Sequence, residues 1–264
     1  MKGGTSLSKG FDIIERFSED IDIQFYPRAA DNVKIGKNHD KPAHIDSRCQ
    51  FFEKITNELN VVGLVFRRDP AFDDNVKMRG AGIRGEYSSL YSEVSSLKEG
   101  IVLELGFDQT TPNVPCNITS WAFEKAKMLN LPIIDNRAKQ VPCYCPEYTF
   151  IEKLQTLSTK YRLQQENKTM PVNFLRHYYD VYKLLENERV LKFLGSPEYV
   201  VHKQSRFRTQ DIINIKENPA FTLKDPEIRN FYSDEFKRKS AMYFGIQPAF
   251  EEILQRINKH MDLL

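Results

Sequence analysis

Gly3-Gly4-Thr5-Ser6 and, a short connection later, Phe17-Ser18-Glu19-Asp20-Ile21-Asp22-Ile23 decide how this chain is read. Side chains alternate between the two faces of a strand, so Asp20 and Asp22 point one way while Ile21 and Ile23 point the other. An acidic edge is thereby backed by a core. Two carboxylates about 7 Å apart along a strand suit a hard cation, because Mg²⁺ takes oxygen ligands and is held by one or two carboxylates plus substrate phosphates. Upstream, a turn without side chains lets backbone N–H groups approach an anion, and a helix beginning at Thr5 or Ser6 would aim its positive end at the same place. Alone, a double glycine is an ordinary turn and Asp-x-Asp a solvated strand edge; in this order they point to phosphate and metal meeting. The rival phosphate motif, G-x-x-x-x-G-K-[ST], is absent, since Lys9 precedes Gly10 and no hydroxyl residue follows.

Composition sets the outer limits. The 264 residues can bury a large core as one domain or two, and 41% hydrophobic with 28% charged residues describes an ordinary globular protein. A net charge of +2 is too small to announce a nucleic-acid partner, so any such surface must be a local patch. No apolar run approaches the ~18 residues of a membrane span, and the opening residues lack the apolar core of a secretory signal. Cys143 and Cys145 are separated by one residue while Cys49 and Cys116 stand apart, a weak pattern for zinc or for a disulfide framework. A reducing cytoplasm is the simplest expectation.

Along the chain, residues 21–26 read as a strand, 47–60 as a helix with Phe51, Phe52, Ile55 and Leu59 on one stripe, and 61–67 as a strand. A turn is expected over 69–75 and further strand within 76–88. The run 101–107 is too apolar for an exposed strand and should lie inside the sheet. Its Glu104 needs a partner there, because a buried carboxylate is costly unless paired or bound to a cation. Either an arginine answers it, or it is a third acid beside Asp20 and Asp22. After Pro142 the character turns helical, with helices expected over 147–161, 172–188, 226–244 and 248–261. These features predict an α+β protein, a mixed sheet with flanking helices over 1–145 followed by a helical domain over 146–264.

Two helical positions stand out. Lys153 falls on the apolar stripe of Phe150, Leu154, Leu157 and Tyr161; it either snorkels along apolar surface or presents its ammonium to an anion. Arg176, Asp180, Lys183 and Asn187 make a polar stripe, which by periodicity alone is a solvated face with an Arg176/Asp180 pair. Farther on, His202, Lys203, Arg206 and Arg208 surround Phe207, either a loop of solvated charges or a place for RNA phosphates with a stacked base.

Lys2-Gly3-Gly4-Thr5-Ser6-Leu7-Ser8-Lys9 with Arg16-Phe17-Ser18-Glu19-Asp20-Ile21-Asp22-Ile23 resembles the opening motifs of the AbiEii/AbiGii nucleotidyltransferase toxins, of the polymerase-beta-like nucleotidyltransferase superfamily. The likeness continues in Glu147-Tyr148-Thr149-Phe150-Ile151-Glu152-Lys153-Leu154, in Arg176-His177-Tyr178-Tyr179-Asp180-Val181-Tyr182, in Met242-Tyr243-Phe244 and in Ala249-Phe250-Glu251-Glu252-Ile253-Leu254. It implies transfer of a nucleoside monophosphate from a nucleoside triphosphate to an acceptor hydroxyl, pyrophosphate leaving, by the toxin of a toxin–antitoxin or phage-defence system. It further implies a cognate antitoxin and an RNA acceptor such as the end of tRNA. By matching motif, Gly3, Gly4, Thr5, Ser6 and Lys9 form the nucleotide-binding turn, with Gly4 and Ser6 on the triphosphate. Asp20 and Asp22 hold two Mg²⁺ ions, Lys153 neutralises the triphosphate, and Asp180 orients Lys153 or holds the nucleotide. Glu104, which no matched motif contains, is expected from its place in the apolar strand to complete the metal shell or serve as base. Two departures matter. Only Met1-Lys2 precede the glycines where the family has a strand and a helix, so a shortened opening is expected, and His177 stands where many relatives carry aspartate. They motivate an alternative, a catalytically weak nucleotide-binding regulatory protein. A metal-dependent phosphohydrolase, with water replacing the acceptor, is a third reading.

Overall fold

Gly3 enters the structure with φ +68°, the left-handed region that glycine tolerates best. A single helical turn follows, α1 (Gly3–Thr5), and runs directly into a π-helical turn over Ser6–Gly10. The expected regular helix from Thr5 or Ser6 is therefore replaced by one α-helical turn that starts earlier and a wider continuation. The computed structural model describes residues 1–18, 20–88 and 100–264; Glu19 of the expected acidic strand lies outside them. The chain divides into two compact units, Met1–Gly10 with Ser18–Cys143 and Phe11–Phe17 with Tyr144–Leu264. Phe11–Phe17 thus belongs with the helical unit, whereas the sequence reading assigns it to 1–145.

In the first unit, β1 (Asp20–Gln24) is followed by helix α2 (Pro42–Glu58) and by strands β2 (Val65–Arg68), β3 (Gly80–Glu86) and β4 (Ile101–Gly106). The sheet order is β1-β4-β3-β2, with β1 and β4 parallel and the other pairs antiparallel. The apolar run 101–107 is central, as its composition requires. Strand β2 starts later than expected because Gly63, at φ +84°, turns the chain and leaves Val62 fully exposed. One sheet face is apolar: Ala81, Ile83 and Leu105 close over Phe51 and Phe52 of α2, with Ile23, Ile55, Leu59 and Leu103 packed around them. Fully buried Arg48 on α2 ties the neighbouring loops, its guanidinium donating to the carbonyls of Lys34, His39 and Lys77.

Strand β5 (Asn113–Ile118), helix α3 (Trp121–Met128) and strand β6 (Ala138–Tyr144) follow, the two strands forming a separate two-stranded sheet. Each strand contains a proline, Pro115 and Pro142. A proline demotes a sequence run as a strand but is tolerated in a sheet that consists only of edges.

The second unit is helical: α4 (Pro146–Asn167), α5 (Arg176–Leu184), α6 (Glu188–Phe193), α7 (Pro197–Arg206), α8 (Pro219–Thr222), α9 (Pro226–Arg238) and α10 (Phe250–Lys259). Phe150, Leu154 and Leu157 of α4 are fully buried, as their spacing predicts. Phe174, Tyr178, Tyr232, Phe236 and Phe250 form a continuous aromatic core with ring centroids 5.2–6.4 Å apart. The expected helix over 172–188 is shorter, confined to α5, and Asn187 caps a separate helix, α6, by accepting from the Arg189 N–H. No helix among the described residues is long and apolar enough to cross a membrane.

The core of the first unit makes a direct prediction. Phe52→Ala should lower its stability by about 3–5 kcal/mol, whereas exposed Val62→Ala should change it by less than about 0.5 kcal/mol. Urea unfolding followed by the emission of Trp121, which lies in the same unit, measures both; equal shifts would show that α2 does not hold the sheet.

Candidate active site

The register of β1 on β4 builds the acidic face. Asp22 lies opposite Glu104 and Asp20 opposite Val102, and residues paired in this way share a face. Asp20, Asp22 and Glu104 therefore all project away from the apolar face made by Ile23, Leu103 and Leu105. Gly82 is opposite Glu104 on β3, so the next strand puts no side chain directly opposite that acid. A cleft of about 220 Å³ opens there, its lining including Asp22, Glu104, Lys2, Asp108, Phe72 and Arg79. Lys2 makes a 3.7 Å ion pair with Asp108 at this cleft.

The glycine turn meets the same strand. The Lys2 N–H donates to the Asp22 carbonyl at 3.1 Å, and a Cβ on Gly3 would lie 2.2 Å from Asp22 Oδ2. Glycine is favoured at position 3 by its φ, and a Cβ there would push the Asp22 carboxylate out of its place. Gly4, Thr5 and Ser6 are buried. The Thr5 hydroxyl donates to the Asp20 carbonyl and lies 3.0 Å from the Ser18 hydroxyl, while Ser6 Oγ donates to the Gly3 carbonyl at 2.9 Å. The Thr5 hydroxyl ties the turn to β1, and the Ser6 hydroxyl closes the turn on itself. Lys9 sits at the end of the turn with its ammonium 4.0 Å from the centre of the Trp121 ring.

Asp20 is 6% exposed, tucked under the turn, while Asp22 is only half-buried. Among the described residues no set of three or more His, Cys, Asp or Glu converges as a metal-binding cluster. The three acids therefore share a face without closing into a three-carboxylate shell; the side-by-side pair is Asp22 with Glu104, not Asp20 with Asp22. Mg²⁺ needs no more than one or two carboxylates from the protein when phosphates complete its shell, so this oxygen-only donor set fits it.

The second unit holds Lys153 and Asp180, which the structure brings together. Asp180 is fully buried and accepts two parallel hydrogen bonds of 2.7 Å from Arg16 Nε and Nη2. Lys153 Nζ is 2.9 Å from its Oδ2. Burial alone would raise the Asp180 pKa; Arg16 and then Lys153 outweigh it and hold the carboxyl well below the usual range. The polar stripe of α5 is accordingly not a solvated face at Asp180, and Arg176 is not its partner. Arg16 carries no signal of this role beyond its place in the resemblance motif, because its partner is 164 residues away. With two cations against one carboxylate, the group keeps surplus positive charge on Lys153.

His177 lies beside this group, its Nδ1 3.5 Å from Lys153 Nζ. Burial, reinforced by Lys153, drives its pKa well below the usual histidine value, so the ring is neutral and Nδ1 can accept from the ammonium. The basic group around Phe207 is largely engaged: His202 Nε2 is 3.1 Å from the Tyr144 hydroxyl, Lys203 donates to the Leu264 carbonyl, and Arg206 pairs with Glu152 at 2.8 Å. It is a set of internal contacts rather than an open phosphate-binding patch.

A mixed sheet with a glycine turn clasping an acidic strand, followed by a helical region, is the architecture of a nucleotidyltransferase. The family model of the nucleotidyl transferase AbiEii toxin, from type IV toxin–antitoxin systems, matches residues 1–256, and the chain belongs to this family. No curated protein and no solved structure gives a significant match.

The buried histidine sets a pH dependence. Its folded-state pKa is depressed, so between that value and the unfolded pKa of about 6.5 the unfolded chain binds more protons. Stability should therefore rise with pH across this window and fall as pH drops below about 6.5, by up to about 1.4 kcal/mol per pH unit. His177→Asn, which keeps an acceptor without the titration, should lose about 1 kcal/mol less than the wild type between pH 7.5 and 5.5. Urea midpoints at the two pH values decide it; identical losses would mean that His177 does not stay neutral in the fold.

Proposed function

We propose that the protein is a Mg²⁺-dependent nucleotidyltransferase that moves a nucleoside monophosphate from a nucleoside triphosphate to an acceptor hydroxyl, with RNA as the acceptor class. The observation that carries this reading is the placement of Asp22: its carboxylate stands beside Glu104 on one side and against Gly3 of the glycine turn on the other. Asp22 and Glu104, with Asp20 behind them, would hold the metal. Bound there, Mg²⁺ supplies charge neutralisation for the triphosphate and lowers the pKa of the attacking hydroxyl.

The protein's own residues then have mainly positioning and electrostatic work. Gly3 offers the triphosphate a backbone without a side chain, and Glu104 would either complete the metal shell or take the proton of the acceptor hydroxyl. The acceptor oxygen forms its bond to the α-phosphorus as the bond to the bridging oxygen breaks, and pyrophosphate departs with that electron pair. Lys153, steadied by Asp180, is the second unit's candidate for neutralising phosphate charge. The family places such an enzyme beside a cognate antitoxin, and a reducing cytoplasm suits the four free thiols.

Incubation with Mg²⁺, each labelled nucleoside triphosphate and total RNA tests the reading. The wild type should label an acceptor, and Asp20→Asn/Asp22→Asn should reduce labelling by roughly 100-fold or more. Equal labelling by the two proteins would refute metal-dependent transfer, and free monophosphate released without RNA would assign hydrolysis instead.

A further inference from the structure

The segment from β5 to β6 is anchored on the glycine turn and carries a surface that the transfer chemistry leaves unused. A Cβ on Gly10 would lie 3.0 Å from Cys143 Sγ and 3.6 Å from Cys116 Cβ, so the end of the turn packs directly on both strands. Burial, followed by the neighbouring Cys116, pushes the Cys143 thiol up to about 12, as suits a packing group rather than a reactive one. From this anchor α3 presents Trp121, Lys125, Met128 and Leu129 on one face, at i, i+4, i+7 and i+8. All four are exposed, the indole at 53%.

An exposed indole beside apolar side chains calls for a cover, and the charges say which kind. Between residues 121 and 141 four cations stand against two carboxylates. Both carboxylates are engaged locally, Glu124 by the Thr119 hydroxyl at 2.6 Å and Asp135 by Arg137 and Lys139. Cations also lie over the aromatic rings: Lys9 over Trp121, and Arg137 4.5 Å from the centre of Phe123. Aromatic faces interleaved with positive charge suit a strand of unpaired bases, whose flat rings stack while the phosphates meet the cations. Arg137 and Lys139 are answered by Asp135, but a purely apolar protein partner would leave Lys125 and Lys127 to be matched.

We propose that this face of α3, together with Lys9, binds single-stranded nucleic acid, with Trp121 stacking a base and Lys125 meeting the phosphate chain. It is an acceptor-binding surface that begins at the end of the nucleotide turn. What the strand is for rests on the transferase reading above; that it binds does not.

Trp121 is the chain's one tryptophan, so its emission reports this surface alone. An oligoadenylate of about 12 nucleotides, titrated into the full chain with EDTA present to block transfer, should quench the emission saturably and less strongly as salt rises. By anisotropy of the labelled oligonucleotide, Trp121→Ala should weaken binding roughly 10-fold while Trp121→Phe retains it. Lys125→Ala should lower the salt slope by about one. Unchanged affinity in Trp121→Ala, or no saturable quenching, would overturn the inference. So would a concentration-dependent dimer, seen by light scattering and abolished by Leu129→Ser, in a protein that binds no oligonucleotide; the face would then belong to a second copy. Transfer to RNA without Trp121-dependent binding sinks this proposal and spares the transferase, whereas Trp121-dependent binding without transfer does the reverse.

Discussion

The parallel pairing of β1 with β4 is the constraint on which the first unit depends. Side chains along a strand repeat every two residues, so a slip of one position would carry Asp22 into the core and Ile23 into the cleft. What fixes the register is the apolar face, where Ile23, Leu103 and Leu105 meet Phe51 and Phe52. The acids are thus held in place by residues on the opposite side of the sheet. Packing and chemistry are two faces of one hydrogen-bonded ladder.

The second unit relies on a different kind of constraint. A fully buried carboxylate is destabilising unless its partners are near and well aligned, and Asp180 meets that condition through a bidentate arginine and a lysine. Removing Asp180 would leave two cations without compensation in a poorly solvated place. Such a group contributes little net stability against an apolar replacement, yet it fixes where the Lys153 ammonium stands. His177 fits this arrangement because it is neutral, adding an acceptor beside the ammonium without a further charge.

Much of this was legible in the residues. Periodicity identified α2 and the opening turns of α4, the apolar run identified the central strand, and the alternation of Asp20-Ile21-Asp22-Ile23 identified the acidic face. What periodicity could not supply was any fact about distant pairing. It gave no hint that Asp22 would stand beside Glu104, since register depends on two strands at once, nor that Arg16 would reach Asp180. Local rules also misled where a tertiary neighbour overrode them. Pro115 and Pro142 concealed a two-stranded sheet, and the glycines permitted a π-helical turn that a regular helix rule does not anticipate. Phe17, next to the acidic motif in sequence, belongs instead to the helical unit, where its N–H donates to the Met242 carbonyl at 2.8 Å and its ring meets Phe244.

The excursion of Phe11–Phe17 into the helical unit has a consequence for modularity. A polypeptide starting at Tyr144 would contain Asp180 and Lys153 but not the guanidinium that completes their group, and one ending at Cys143 would carry that guanidinium with nothing to receive it. The two halves are consequently not interchangeable cassettes. Cleavage between Cys143 and Tyr144 would therefore separate Arg16 from Asp180 in sequence, leaving each piece without an internal part.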